Sequence, residues 1–219
     1  QGSLGLPTQA YTTSGGCSSD LTNGKDPGFG GVIAFFTFGV PHRVGMSQYG
    51  AKGRAEAGQG YQDILKAYFN ADITSGYDQG INIHVTGTNE YGQSFDNNWN
   101  IEEYVKHIYE VPSAWHPEAL KAQAVAARSY ALAQSNNGSK EICPSQSCQV
   151  VKQELNAQSW IDAVNATAGI VLTSGGSPIQ AWFSSTAGGY TLSSSAVWGN
   201  DRPWTKTGAD TNGSAGSFA

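Results

Sequence analysis

The sequence predicts an α+β fold in which a mixed sheet and hairpins pack around a buried, Ala-rich helix within one compact domain. Three observations carry this. From Pro117 to Gln134 no breaker interrupts a run so dense in alanine that it must pack closely on more than one face. Upstream, Ile101, Tyr104, Val105 and Ile108 fall at the i, i+3, i+4, i+7 positions of a helix burying one face. Ile81, Ile83 and Val85 alternate with Asn82, His84 and Thr86, the period of a half-buried strand.

In chain order, residues 1–30 are rich in Gly, Ser, Thr and Asp without either hydrophobic period, and read as an extended arm or linker. The domain is expected over 31–207 and an irregular tail over 208–219. Val32 to Phe38 has the length and apolarity of a strand buried on both faces. A turn from Gly39 to Gly45 leads to Ser47, an N-cap for a helix through Gln48, Tyr49, Ala51 and Ala55, whose Gly50 and Gly53 permit close approach. A second helix follows Gly60, with Tyr61, Ile64, Leu65 and Tyr68 on one face. The strand at 81–86 ends in a turn at Gly87. The helix from Ile101 breaks at Val111-Pro112, because the residue before proline avoids the helical region. Pro117 suits the first turn of the next helix, and Glu118 complements its positive end. A short helix around Trp160 to Val164 precedes a hairpin of Gly169 to Thr173 with Pro178 to Ser185, followed by a polar loop to Thr191 where ligand-facing groups tend to be found.

At 219 residues the chain can bury a sizeable core. A net charge of -5 and a pI near 5.3 argue against nucleic acid or an anionic membrane as the main partner. Few charges, much Gly, Ser, Thr, Asn and Gln, six Trp and ten Tyr suit an extracytoplasmic protein that handles neutral, hydroxyl-rich ligands. A Gly-rich, loop-rich β protein is the simpler reading of composition alone. No apolar run reaches membrane-spanning length, so a removed signal or anchor segment is the expectation. Cys143 and Cys148 have the spacing of a small disulfide loop, and the pairing implies an oxidising compartment. Zinc is the competing reading and needs two more ligands, with His107 and His116 the nearest histidines in sequence. Cys17 is left over, as a free thiol or with a partner that cannot be identified.

The only carboxylate in the break between the two central helices is Glu110, between Tyr109 and Val111 and near Trp115. Apolar and aromatic surroundings keep a carboxylic acid protonated near neutral pH, as glycosidic cleavage requires of its proton donor. No convincing second carboxylate is found: Glu102 and Glu103 are expected to face solvent and Glu118 to serve the helix start. No G-x-S-x-G elbow is present, the four histidines make no metal-binding pair, and no cofactor is called for.

YEVPSAW followed by PEALKAQAVAARSYAL resembles the core signature of the stage II sporulation protein D, or amidase-enhancer, family. VGMSQYGAKGRAEAG with YQDILKAYF, and FSSTAGGYT with VWG and RPW, are similar to two further blocks of it, so the resemblance runs from Gly39 to Trp204. It implies a lytic transglycosylase acting on peptidoglycan glycan strands, with Glu110 as the catalytic acid. One acid/base suffices there, because the muramic acid 6-hydroxyl attacks the anomeric carbon and leaves a 1,6-anhydro end. A preference for strands cleared of stem peptides is left open. The resemblance further implies a groove lined by Gln48, Tyr49, Ser185, Thr186, Gly188 and Gly189, with His42 and Gln123 as further contacts. Arg128 either binds a lactyl carboxylate, orients Glu110 or forms a core ion pair. Trp198 and Trp204 either stack on sugars or fill the core. The order departs from the family, whose GMSQYGA block lies near the C-terminus, and Pro41-His42-Arg43 stands where many relatives have Gly-His-Gly, with Arg43 adding a cation at the site's edge. The alternative function is a non-catalytic glycan-binding protein that positions or stimulates a cell-wall amidase.

Overall fold

The computed structural model describes residues 41–210. The expected N-terminal arm and the Val32 to Phe38 strand lie outside the described residues. Chain order is β1 (Met46–Ser47), α1 (Gln48–Glu56), α2 (Tyr61–Tyr68), β2 (Asp72–Thr74), β3 (Asn82–Thr88), β4 (Ser94–Asn100), α3 (Ile101–Lys106), α4 (Pro117–Gln134), α5 (Gln158–Ala166), β5 (Val171–Ser174), β6 (Ser177–Pro178), β7 (Phe183–Ser184), β8 (Tyr190–Thr191), α6 (Ser194–Trp198) and β9 (Gly208–Ala209).

The fold is α+β and is organised by α4. Its alanines divide between two cores: Leu120, Ala124, Ala127 and Ala131 pack with β3, β4, α3 and α5, while Ala119, Ala122, Val125 and Ala126 pack with α1, α2 and the segment from Leu172 to Ala181. Small side chains on both faces let flanking elements approach the helix axis, which explains the alanine density. The helix starts where its chemistry allows. His116 accepts from the Glu118 amide, Pro117 occupies the first turn, and the Glu118 carboxylate accepts from the Tyr61 amide at 2.8 Å, capping α2 as well.

Small sheets surround this helix. β3 and β4 form an antiparallel hairpin with Ile83 opposite Trp99 and Val85 opposite Asn97, β5 pairs antiparallel with β2 and β6, and β7 pairs parallel with β1. Pro178 to Ser185 is not one strand. The chain leaves the hairpin after Pro178 through tight turns at Ile179 to Trp182, closed by hydrogen bonds from Ala181 to Ile179 and Trp182 to Gln180, both 2.8 Å. Phe183 and Ser184 then join β1 instead. The tail boundary also moves: Gly208–Ala209 pairs with β8, and Asp210 is buried, accepting from the Tyr68 hydroxyl at 2.6 Å. A Cβ on Gly50 would collide with that hydroxyl and carboxylate, so α1 can approach α2 and residue 210 only with glycine there. No helix among the described residues is long and apolar enough to cross a membrane.

Candidate active site

Glu110 lies four residues beyond the end of the short helix α3 at Lys106 and two before Pro112. The facing segment is pinned from both sides. Gln149 accepts from the Tyr104 hydroxyl at 3.0 Å and donates to the Ala127 carbonyl at 3.3 Å, and Val151 bridges to Ile108. Between these anchors the Val150 amide donates to Glu110 Oε1 at 2.6 Å. Burial is the dominant influence on the carboxyl and pushes its pKa up to about 7; the Val150 hydrogen bond opposes this, and the nearby Glu90 charge adds to the rise. A substantial fraction of Glu110 is therefore protonated near neutrality.

Glu110 opens into a groove of about 710 Å³. One side carries His42, Trp182, Phe183, Ser184, Ser185 and Trp198, and the other Tyr91, Tyr109, Tyr130, Gln146 and Cys148. Gln48 completes it, its amide donating to the Glu110 carbonyl at 3.3 Å. The β1–β7 pairing makes this possible: it sets Ser47 beside Ser184, and the Tyr49 amide donates to the Ser185 carbonyl at 3.1 Å. Gly45 has φ +75 and lies against the Trp182 carbonyl with no room for a Cβ, so this pairing needs glycine there. Among the described lining residues Glu110 is the one carboxylate, and the rest offer aromatic faces, amides and hydroxyls. His42 does not supply charge: its Nδ1 accepts from the Val44 amide, and burial lowers its pKa to about 4 against a backbone hydrogen bond with Phe183. It packs against Trp198, which also packs on Trp182.

Other expected contacts fall elsewhere. Arg128 is not at the groove. It is 1 % exposed, pairs with Glu102 Oε2 at 2.6 Å and donates to the carbonyls of Ile170 and Val164. Glu102 accordingly turns inward rather than to solvent, its second oxygen accepting from the Gly169 amide at 2.9 Å. A cation on an alanine helix between two cores needs such a partner, and it lies on α3. Gln123 is buried on α4 without a hydrogen-bond partner among the described residues and does not line the groove. Tyr49 stands beside the groove against Trp115, with ring centroids 5.1 Å apart. Thr186, Gly188 and Gly189 form the turn behind it: Thr186 Oγ1 accepts from the Gly188 amide, and Gly189 receives the Asp210 amide.

Arg43 is turned into that same turn, donating to the carbonyls of Ala187 and Tyr190 at 3.1 Å each, rather than standing as a cation at the site's edge. It has φ 63, the region that favours glycine, so it holds the loop at the cost of a strained backbone. Cys143 and Cys148 are bonded to each other, which closes the loop forming one groove wall. Trp204 belongs to the second core and lines a separate, smaller recess. Sequence reasoning missed Trp182, Tyr91 and Gln146 as lining residues and Glu90 as a neighbour of the acid. Only Trp182 carried a signal, lying next to the FSSTAGGYT block.

Among the described residues the fold and groove thus define an α+β domain presenting one protonatable carboxylic acid in a neutral, aromatic cleft. Residues 90–174 match the model of the family described as Stage II sporulation protein, so the chain is similar to that family over this stretch. It is 34% identical over 128 residues to "Stage II sporulation protein D" of Bacillus subtilis (strain 168), covering 49% of this chain and 37% of that protein. It is also 37% identical over 106 residues to "Amidase enhancer" of the same organism, covering 47% of this chain and 14% of that protein. The Bacillus amyloliquefaciens "Stage II sporulation protein D" is 34% identical over 128 residues, with 49% of this chain and 37% of the relative covered. This chain spans little more than a third of these relatives at most. The family match holds Glu110 and α4, while the blocks around Gln48 and Ser185 lie outside it.

Proposed function

We propose that this protein is an extracytoplasmic lytic transglycosylase acting on peptidoglycan glycan strands, with Glu110 as its acid and base. The observation that carries this is one groove carboxyl, the single one among the described lining residues, protonated in substantial part near neutral pH among aromatic, amide and hydroxyl groups. Glu110 donates its proton to the glycosidic oxygen as the bond from that oxygen to the muramic acid anomeric carbon breaks. The 6-hydroxyl of the same sugar then attacks the anomeric carbon, and the Glu110 carboxylate takes the hydroxyl proton. The acid is regenerated, no water is consumed, and the product carries a 1,6-anhydro end. The lack of a second lining carboxylate among the described residues fits a reaction whose nucleophile belongs to the substrate.

Purified glycan strands incubated with the protein and analysed by mass should acquire anhydro-muramyl ends, and the rate should fall as pH rises through about 7. Ordinary reducing ends would make the protein a hydrolase and assign Glu90 or another carboxylate a role. A second reading draws on the relative named "Amidase enhancer": a glycan-binding protein that stimulates a cell-wall amidase. Strands that bind but stay intact, with faster peptide release by an added amidase, would favour it.

A further inference from the structure

With Arg128 and Arg43 both engaged away from the groove, neither of these two cations is available to an anionic substituent of the ligand. One cation beside the groove is. Lys152 Nζ lies 4.3 Å from the centroid of the Tyr109 ring and 4.5 Å from that of Tyr91. Both rings line the groove, and Tyr109 is the residue before Glu110. Rings on two sides hold an ammonium by their electron-rich faces without neutralising it. Among the described residues this ammonium forms no hydrogen bond or ion pair; the Glu154 carboxylate, which accepts from Gln93, feels its charge without pairing with it, and Glu90 accepts from the Gln146 amide.

The platform is fixed rather than fortuitous. The Tyr109 hydroxyl donates to the Leu155 carbonyl at 2.7 Å and its amide to the Val150 carbonyl at 2.9 Å, while the Lys152 amide donates to the His107 carbonyl at 3.0 Å. The same two-stranded contact therefore positions the acid, through Val150, and the ammonium, through Lys152. Tyr91 is 61% exposed, so much of its ring remains open to a ligand.

We propose that Lys152, carried on Tyr109 and Tyr91, is the specificity-determining cation of this groove and binds a carboxylate on the glycan, such as the lactyl carboxylate of muramic acid. The inference rests on the glycan reading of the groove. It assigns to Lys152 the discrimination between strands with free carboxylates and strands whose carboxylates are capped as amides.

The test uses two muramic-acid-containing oligosaccharides, one with free lactyl carboxylates and one with the same groups converted to amides, titrated into the Glu110→Gln protein so that nothing is cleaved. The free acid should bind about five- to tenfold more tightly than the amide, with the difference shrinking at high salt. Lys152→Gln should abolish the difference while leaving amide binding unchanged, and Lys152→Arg should keep it. An undiminished preference in Lys152→Gln, or no preference in the parent protein, overturns the proposal and leaves the transglycosylase reading intact. Failure of both oligosaccharides to bind overturns both. Loss of the preference in Lys152→Gln, with no anhydro product from the wild type, sustains the proposal and sinks the transglycosylase.

Discussion

Glu110→Gln should stabilise this protein, and by an amount that grows with pH. The amide is nearly isosteric and its Oε1 can still accept from the Val150 amide, so the contact at 2.6 Å survives. What disappears is the cost of ionising a buried acid. Holding the carboxyl near 7 rather than 4.5 makes the wild-type fold progressively harder to keep as pH rises through that window, because the unfolded chain releases the proton first. The wild type therefore retains this stability below about 4.5, loses it between there and about 7, and changes little above. The loss amounts to about 1 kcal/mol at pH 5 and about 3 kcal/mol at pH 8. For a domain of this size the variant should melt roughly 2–4 °C above the wild type at pH 5 and roughly 6–12 °C above it at pH 8. Calorimetry of both proteins from pH 5 to 8, with anhydro-product formation followed in parallel, checks this; activity in the variant should fall by about 10²–10⁴. Melting curves that stay parallel across that range would show that the acid is not held protonated, and the proposed chemistry would lose its proton donor.

Three further outcomes are expected. Arg128→Ala leaves Glu102 buried without its partner and should destabilise the fold by about 3–5 kcal/mol in a denaturant titration; a well-folded variant with weakened glycan binding would return Arg128 to the ligand. Reducing the Cys143–Cys148 bond should cost about 2 kcal/mol and lower activity more than stability requires, since the freed loop forms a groove wall and leads into Val150; this is read by paired melting and product assays with and without reductant. Gly50→Ala should destabilise by about 1–3 kcal/mol by forcing Tyr68 and Asp210 apart, and urea midpoints would reveal it.

The helices were legible because their signals are local. Ser47 caps its helix as read from the sequence, and the alanines of α4 announced a two-sided helix. The strands were less so. In β4 the sequence SFDNNWN buries Phe95 and half-buries Asn97 and Trp99 on one face, while Asp96 and Asn98 face outward, so the strand is set by pairing with β3 and not by its own hydrophobicity. The break after Pro178 was invisible because Ile179, Ala181 and Phe183 alternate like a strand, although Ile179 and Ala181 fill the second core from tight turns. For the site, Glu110 and its proximity to Gln48 and Ser185 could be anticipated from motif blocks. A core ion pair was one of the readings for Arg128, but its partner Glu102 and the engagement of Arg43 could not be named, since each depends on a residue 26 or more positions away.

The hydrogen bond from Val150 to Glu110 makes the working proton observable without any substrate. A backbone amide that donates to a carboxylate resonates farther downfield than one that donates to the neutral acid, so the ¹H–¹⁵N signal of Val150 should trace a titration centred near 7. Activity profiles blend every ionisation on the reaction path into apparent constants. This amide touches one oxygen of one side chain, so its chemical shift would follow the protonation of that acid, first without ligand and again with glycan added.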